Sequence, residues 1–521
     1  MDKTKTVNRL LAGCLVVIFL LRWSHMADRE PNIDTSTWLA GVISVDKSSD
    51  PIWTWLNYTD GRPLTVAPLL IARALGFEAS YPVAEGVGII CWLITLLILY
   101  KTLRWLSLSA LHALILLAPI LCWLGTTGYH DHIAYNSEAI SVLMLTAGVS
   151  AYVFAFYRRG LSDVARQLPF SFWLCLGIWF GLLAYAKFQN VPMGLVMAAF
   201  FAYELLARLQ WKNVFWLVLG GVLPTILINL YFAWYGELTT FWNNYFWYYF
   251  YYGYSDEFSK LPIFKRFSPW RAGSLMWQSN AIRFAFSGLC LAVFVAFWGG
   301  GRKRSLNRWD RLLLFAGCYL IVTFYAVLQS GNPYTHYTLF LPVPLTFLIG
   351  VVVSRPSTGH RETFKNWVYG IVLISGIGQG VFNSIEREPL LPLWHDNYDQ
   401  QLVKIIKANT QPNDRLVIWG YADRLYIYTG LPMGFRWPYT IGIYWPSALH
   451  DIRVDYFLKD MLQNKPVIFV DLNGSFINTE GNAKHRHENF PPIANFVRQH
   501  YQMIAQVKDG SPEGVRIYKL K

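Results

Sequence analysis

Apolar residues fall in long blocks along this chain, and blocks near 20 residues predict helices that cross a bilayer. The candidate spans are Leu10–Trp23, Val83–Leu103, Ser109–Gly125, Ser137–Tyr157, Phe170–Ala186, Val191–Ala207, Val214–Tyr235, Trp277–Trp298, Leu312–Gln329, Tyr337–Val353 and Trp367–Asn383, eleven in all. A polytopic α-helical membrane protein follows. From Ser384 onward the blocks shorten and charges become frequent, with Pro389 and Pro392 marking the exit. Residues 1–384 therefore read as the membrane module and residues 385–521 as a separate α/β domain. That second part predicts a helix at Asp396–Asn409, a strand at Arg415–Trp419, a buried strand at Pro466–Leu472, a helix near Ile493–Tyr501 and a terminal strand at Val515–Leu520, a small α/β sandwich.

Charge sets the orientation. With the N-terminus cytoplasmic, the inner segments hold eighteen Lys and Arg residues against Asp2, Asp163, Asp310 and Glu362. The first outer loop, residues 25–82, carries seven acids and four basic residues. The positive-inside rule thus predicts a cytoplasmic N-terminus and an extracytoplasmic C-terminal domain, as in a bacterial inner membrane. The net charge of +13 is mostly this topology signal, and no nucleic acid need be invoked. The six cysteines all fall inside predicted spans without CxxC spacing, so they read as packing residues.

Two outer loops are long, 25–82 and 236–276. In the first, Trp38, Leu39, Val42 and Ile43 predict a short helix on the membrane surface after the cap-like Asp34 and Thr35. The second holds the aromatic run Trp242–Tyr254, readable as an interfacial belt or as a wall for a lipid chain or sugar.

Polar residues near membrane depth are costly and point to function. Those of the outer side are Asp28, Glu30, Asp34, Asp60 and Arg62 in the first loop, then His130, Asp131, His132 and Glu138, Lys187, Gln189 and Asn190, and His336. Carboxylates beside cations suit proton removal from a hydroxyl and neutralisation of a phosphate leaving group. Competing readings stand beside this one: a helix cap for Asp34, a solvated turn for Asp131 with His130 and His132, and snorkelling for Lys187 and His336.

The order of these motifs resembles membrane glycosyltransferases of the GT-C superfamily, bacterial relatives of protein O-mannosyltransferases and aminoarabinose transferases. The similar segments are Asn32 to Trp38, Asp60-Gly61-Arg62-Pro63-Leu64, Tyr135 to Glu138, Lys187-Phe188-Gln189-Asn190-Val191-Pro192, and His336-Tyr337, covering mainly residues 1–350. The resemblance implies transfer of a sugar from a polyprenyl-phosphate donor to a glycan, lipid or protein acceptor hydroxyl, with inversion. It implies Asp34 as general base with Glu138 as its partner, and Arg62, Lys187 and His336 as phosphate ligands. Asp131, His130, Gln189 and Tyr337 are accessory or acceptor candidates. The Asp-Glu dipeptide of the mannosyltransferase first loop is replaced by Asp34-Thr35, which leaves the acceptor and any divalent cation open. A transporter or a non-catalytic membrane assembly protein is the alternative; a transporter would need ionisable residues deep in several spans and internal repeats, and the sequence shows few of the first and none of the second.

Overall fold

Long runs of Leu, Val, Ile, Phe and Trp satisfy their backbone polar groups internally only as helices, and helices dominate the computed structural model. The structure describes residues 3–26, 28–56, 63–158, 164–248, 261–298, 308–331, 334–355, 360–386, 394–444, 448–475, 478, 482–511 and 513–521.

Ten of the eleven predicted segments lie along helical residues, Tyr337–Val353 passing from a 3-10 turn into the helix Pro342–Ser354, whereas Trp277–Trp298 is broken between Gln278 and Arg283, where one helix ends and another begins. Among the described residues, seven helices are long and apolar enough to cross a membrane: Lys3–Ser24, Tyr81–Trp105, Ser137–Phe156, Trp211–Trp234, Trp309–Leu328, Thr335–Ser354 and Thr363–Ile385. The other four, Ala110–Thr126, Phe170–Ala186, Asn190–Leu206 and Arg283–Trp298, have 16 or 17 residues and sit at the short limit for a span. Outward faces of long and short helices alike are apolar, with Leu227 and Leu230 on Trp211–Trp234, Phe294 on Arg283–Trp298 and Ile374 on Thr363–Ile385 exposed where a soluble protein would place charge. This is an integral membrane protein.

The chain forms two compact units. The first comprises Met1–Met26, Gly88–Tyr231 and Tyr254–Glu388. Its helices pack closely where side chains are smallest. A Cβ added at Gly177 would stand 2.1 Å from the Leu217 carbonyl, and one at Gly220 would stand 2.2 Å from that of Leu174. Two backbones approach there as small residues allow in membranes. The cysteines are free, as their scattered positions in helices imply.

The second unit comprises Ala27–Val87, Phe232–Gly253 and Pro389–Lys521. The first long loop from residue 27 on, and the first part of the second, residues 236–253, thus belong to the same unit as the C-terminal segment, while residues 254–276 belong to the first unit. Its sheet has the order β1-β2-β4-β3, with β1 Leu416–Trp419, β2 Ile468–Asp471, β3 Tyr501–Val507 and β4 Val515–Leu520. β1 and β2 are parallel; β4 runs antiparallel to both β2 and β3. β3 and the helix His450–Asn464 join the elements expected from the sequence.

The predicted short helix is present at Ile33–Asp46, but its surroundings differ from the expectation. Every residue from Thr35 to Ser44 is buried in protein, so its apolar face does not rest on a membrane surface. Ala40 and Trp55 join Leu425, Tyr426, Met433, Ile468 and Ile517 in one hydrophobic core. The polar side chains of this helix are bonded within the unit: Thr37 donates to Asp423 at 2.6 Å, and Ser44 accepts from the Met433 amide at 2.9 Å. The cap also differs. Asn32 is the N-cap, its side chain accepting from the Asp34 amide at 2.8 Å, which frees the Asp34 carboxylate from that role.

Candidate active site

In the first unit, three chain turns bring charged groups together. Glu138 lies in the first turn of Ser137–Phe156, a helix capped by Asn136. Its side chain is only 1% exposed, which requires a partner. Lys187, the C-cap residue of Phe170–Ala186, supplies it through a close ion pair with Glu138 Oε1. The same ammonium stands 4.7 Å from the centre of the Tyr337 ring, a cation–π distance. Residues 49 apart in sequence thus form a pair walled by an aromatic from a third segment.

Asp131 and His336 form the neighbouring arrangement. Thr335 donates to Asp131 Oδ2 at 2.6 Å, His336 Nδ1 lies 4.0 Å from the same oxygen, and His130 Nε2 lies 3.5 Å from Oδ1. Burial pushes the Asp131 carboxyl up, but His336 and the Thr335 hydroxyl outweigh it and hold the group well below the usual carboxylate range. The His336 ring stacks on Tyr334 and meets Tyr337 edge-on. His132 is different: buried, with Nδ1 accepting from Trp123 at 3.3 Å, it is pushed down to about 3 by burial and stays neutral.

Gln189 and Asn190 are fully buried. Gln189 donates to the Ala326 carbonyl at 2.9 Å, and Asn190 to Ser141 at 2.8 Å and the Leu183 carbonyl at 3.1 Å. Both amide groups brace the turn that presents Lys187.

Asp34 belongs to the second unit, half-buried in the first turn of its helix. Nearby in that unit is a network the sequence did not single out. Arg424 binds Asp399 at 2.7 Å and Glu30 at 3.3 Å, while Ser36 bonds to Glu30 and to the Tyr81 hydroxyl. A cavity of about 550 Å³ opens there, lined by Asp28, Arg29, Glu78, Asp399, Lys404 and Tyr428 among others. Of the aromatic run, Tyr245 and Tyr248 are buried and Trp247 is exposed, while 249–254 lie outside the described residues. Asp60 and Arg62 also lie outside them.

Among the described residues, one group of three has metal-ligating atoms within 4.8 Å of one another: Asp471, His487 and Glu488. Arg486 lies 3.7 Å from Asp471, and Arg516 binds Glu488 at 2.5 Å. Cations of the chain already balance these carboxylates, so the group reads as an ion-pair network.

No protein-family model matches the sequence, and no curated protein does. Solved structures do. ArnT from Cupriavidus metallidurans in the apo state aligns over 99% of this chain and 98% of its own, with a TM-score of 0.58 and 14% identity. The same protein bound to undecaprenyl phosphate gives the same coverage and identity at 0.57. The Archaeoglobus fulgidus oligosaccharyltransferase in complex with Zn and sulfate covers 97% of this chain and 73% of that one at 13% identity, with a TM-score of 0.47 too low to argue from. Over nearly its whole length, the chain shares the fold of ArnT.

Proposed function

We propose that this chain is a GT-C-type glycosyltransferase that moves a sugar from a polyprenyl-phosphate donor to an acceptor hydroxyl at the extracytoplasmic membrane face. The observation that carries the reading is the Lys187 ammonium, held between the Glu138 carboxylate and the Tyr337 ring at a helix end. It has three N–H donors and Glu138 takes one, leaving others for a phosphate oxygen. The likeness of fold to ArnT, whose structure includes undecaprenyl phosphate, supports a lipid-linked donor.

In the proposed reaction, Asp34 removes the proton from the acceptor hydroxyl while its oxygen attacks the anomeric carbon. The bond from that carbon to the phosphate oxygen breaks, polyprenyl phosphate leaves, and the configuration inverts. Lys187, His336 and Arg62 stabilise the charge that develops on the leaving phosphate. Glu138 holds Lys187, and Asp131 orients His336. The 550 Å³ cavity lies within the usual range of small-molecule sites, about 300–1,000 Å³, and its mixed polar lining suits an acceptor rich in hydroxyls. A divalent cation remains part of the proposal only as an addition to be tested by chelation. The topology we propose has eleven spans, a cytoplasmic N-terminus in a bacterial inner membrane and residues 385–521 outside.

The experiment is release of polyprenyl phosphate from a panel of labelled polyprenyl-phosphate sugars by the purified full chain. Release that depends on Lys187 supports the reading. Transport of the labelled compound across vesicles without release would replace it.

A further inference from the structure

Far along the Ser137–Phe156 helix from Glu138, a cavity of about 330 Å³ is lined by Lys101, Trp105, Ser150, Ala151, Phe154 and Arg158. At 1.5 Å per residue, the sixteen positions from Glu138 to Phe154 put it roughly 24 Å away along the helix, near the opposite membrane surface. The floor is aromatic, with the Trp105 and Phe154 rings 5.2 Å apart. Two cations approach one indole: Lys101 Nζ lies 5.3 Å and Arg158 Cζ 5.7 Å from the Trp105 ring centre. Among the described residues neither is paired with a carboxylate.

Each helix leads an apolar track to this place. On Tyr81–Trp105, Ile90, Ile94, Leu97 and Lys101 are all exposed, and their spacing of four, three and four keeps them on one face. On Ser137–Phe156, most positions are buried, yet Ile140, Leu143, Ala147, Ala151 and Phe154 are half-buried, and the stripe continues to Arg158. Two apolar stripes, one exposed and one half-buried, thus each end in a cation at the same cavity. Snorkelling alone would place cations at a membrane surface, but would not bring both over a single indole beside a recess holding the Ser150 hydroxyl.

We infer that this recess binds the phosphate headgroup of an anionic phospholipid whose acyl chains lie along the two stripes. Arg158 and Lys101 neutralise the phosphate, Ser150 donates a hydrogen bond, and Trp105 sits at headgroup depth as interfacial indoles do. The inference does not rest on the proposed transfer reaction, and it concerns a lipid of the leaflet opposite the candidate active site.

The test is native mass spectrometry of the full chain released from nanodiscs of phosphatidylcholine containing phosphatidylglycerol. One phosphatidylglycerol should be retained about thirtyfold more than phosphatidylcholine, as two surface cations would produce. The double variant Lys101→Gln/Arg158→Gln should lose the preference, Lys101→Arg/Arg158→Lys should keep it, and Lys212→Gln, at an exposed cation elsewhere, should leave it unchanged. Equal retention of both lipids overturns the inference. So does a preference that survives in the double Gln variant, falls equally in Lys212→Gln, or is abolished by millimolar inorganic phosphate, which would indicate a free-anion site.

Discussion

Lys187 donates to Glu138, and the two side chains are 13% and 1% exposed, so neither charge has water as its main partner. Removing one member leaves the other buried and unpaired, which typically costs about 3–5 kcal/mol. Lys187→Ala should therefore lower stability as well as donor use, and Lys187→Met/Glu138→Gln should restore the melting temperature without restoring release of polyprenyl phosphate. Recovery of both would remove Lys187 from the reaction.

Asp34 and Asn32 should separate chemistry from folding. Because Asn32 caps the helix, Asn32→Ala should cost about 0.5–2 kcal/mol of stability. Asp34→Asn should leave the melting temperature near that of the parent while turnover falls by about 10²–10⁴, the usual contribution of a general base. Unchanged turnover in Asp34→Asn would send the search for the base to Asp28, Glu30, Asp131 or Glu138.

The pH response should have two windows of the same sign. His132 is held neutral with its folded value near 3, below the ordinary 6.5 or so of the unfolded chain. Between those values the unfolded state binds the proton more readily, so stability is complete above about pH 6.5 and declines as pH falls toward 3. Asp131, depressed in the fold, adds a loss only below the ordinary carboxylate range near 3.9. Melting curves of His132→Gln should be flatter than the parent between pH 6.5 and 4, and those of Asp131→Asn should be flatter only below it. Parallel curves for parent and His132→Gln would contradict the assignment.

Glycines should differ by what faces them. Gly177→Ala brings a Cβ onto backbone at 2.1 Å and should destabilise by about 1–3 kcal/mol or more, as overpacking does. Gly317→Ala, with nothing within 4 Å, should be neutral or gain about 0.5–1 kcal/mol from helix propensity. Equal melting temperatures for the two variants would refute the close helix crossing.

A reporter fused after Lys521 should behave as exported. The expectation comes from the asymmetry of Lys and Arg along the loops. Activity of a reporter that works only in the cytoplasm would reverse the orientation.

What could be read from the sequence followed from local physics. Nearly every long apolar run became a helix because the run itself decides, the exception being the break between Gln278 and Arg283, and β1, β2 and β4 announced themselves as short apolar strands. β3 did not: Tyr-Gln-Met-Ile-Ala-Gln-Val lacks clean alternation, carries a register shift between Met503 and Ala505, and follows directly on the Pro491–His500 helix. Asn32 was legible as a cap by residue type, yet the neighbouring Asp34 and Thr35 offered the same signal. Within the candidate site, the residues were recognisable but their pairings were not. No spacing rule links Lys187 to Glu138, or Glu30 to Arg424 across 394 positions, because such pairs are chosen by tertiary packing.

The discontinuous second unit has a consequence for biogenesis. Ala40 and Trp55 are made early, while Leu416, Ile468 and Ile517, which share their core, are made about 360 residues later or more. At roughly 5–20 residues per second, the early helix waits on the order of 20–70 s or longer for the strands that cover it. During that interval its apolar side chains and bonded hydroxyls lack their partners, so a nascent chain stalled before residue 416 should depend on chaperones that a finished chain no longer needs.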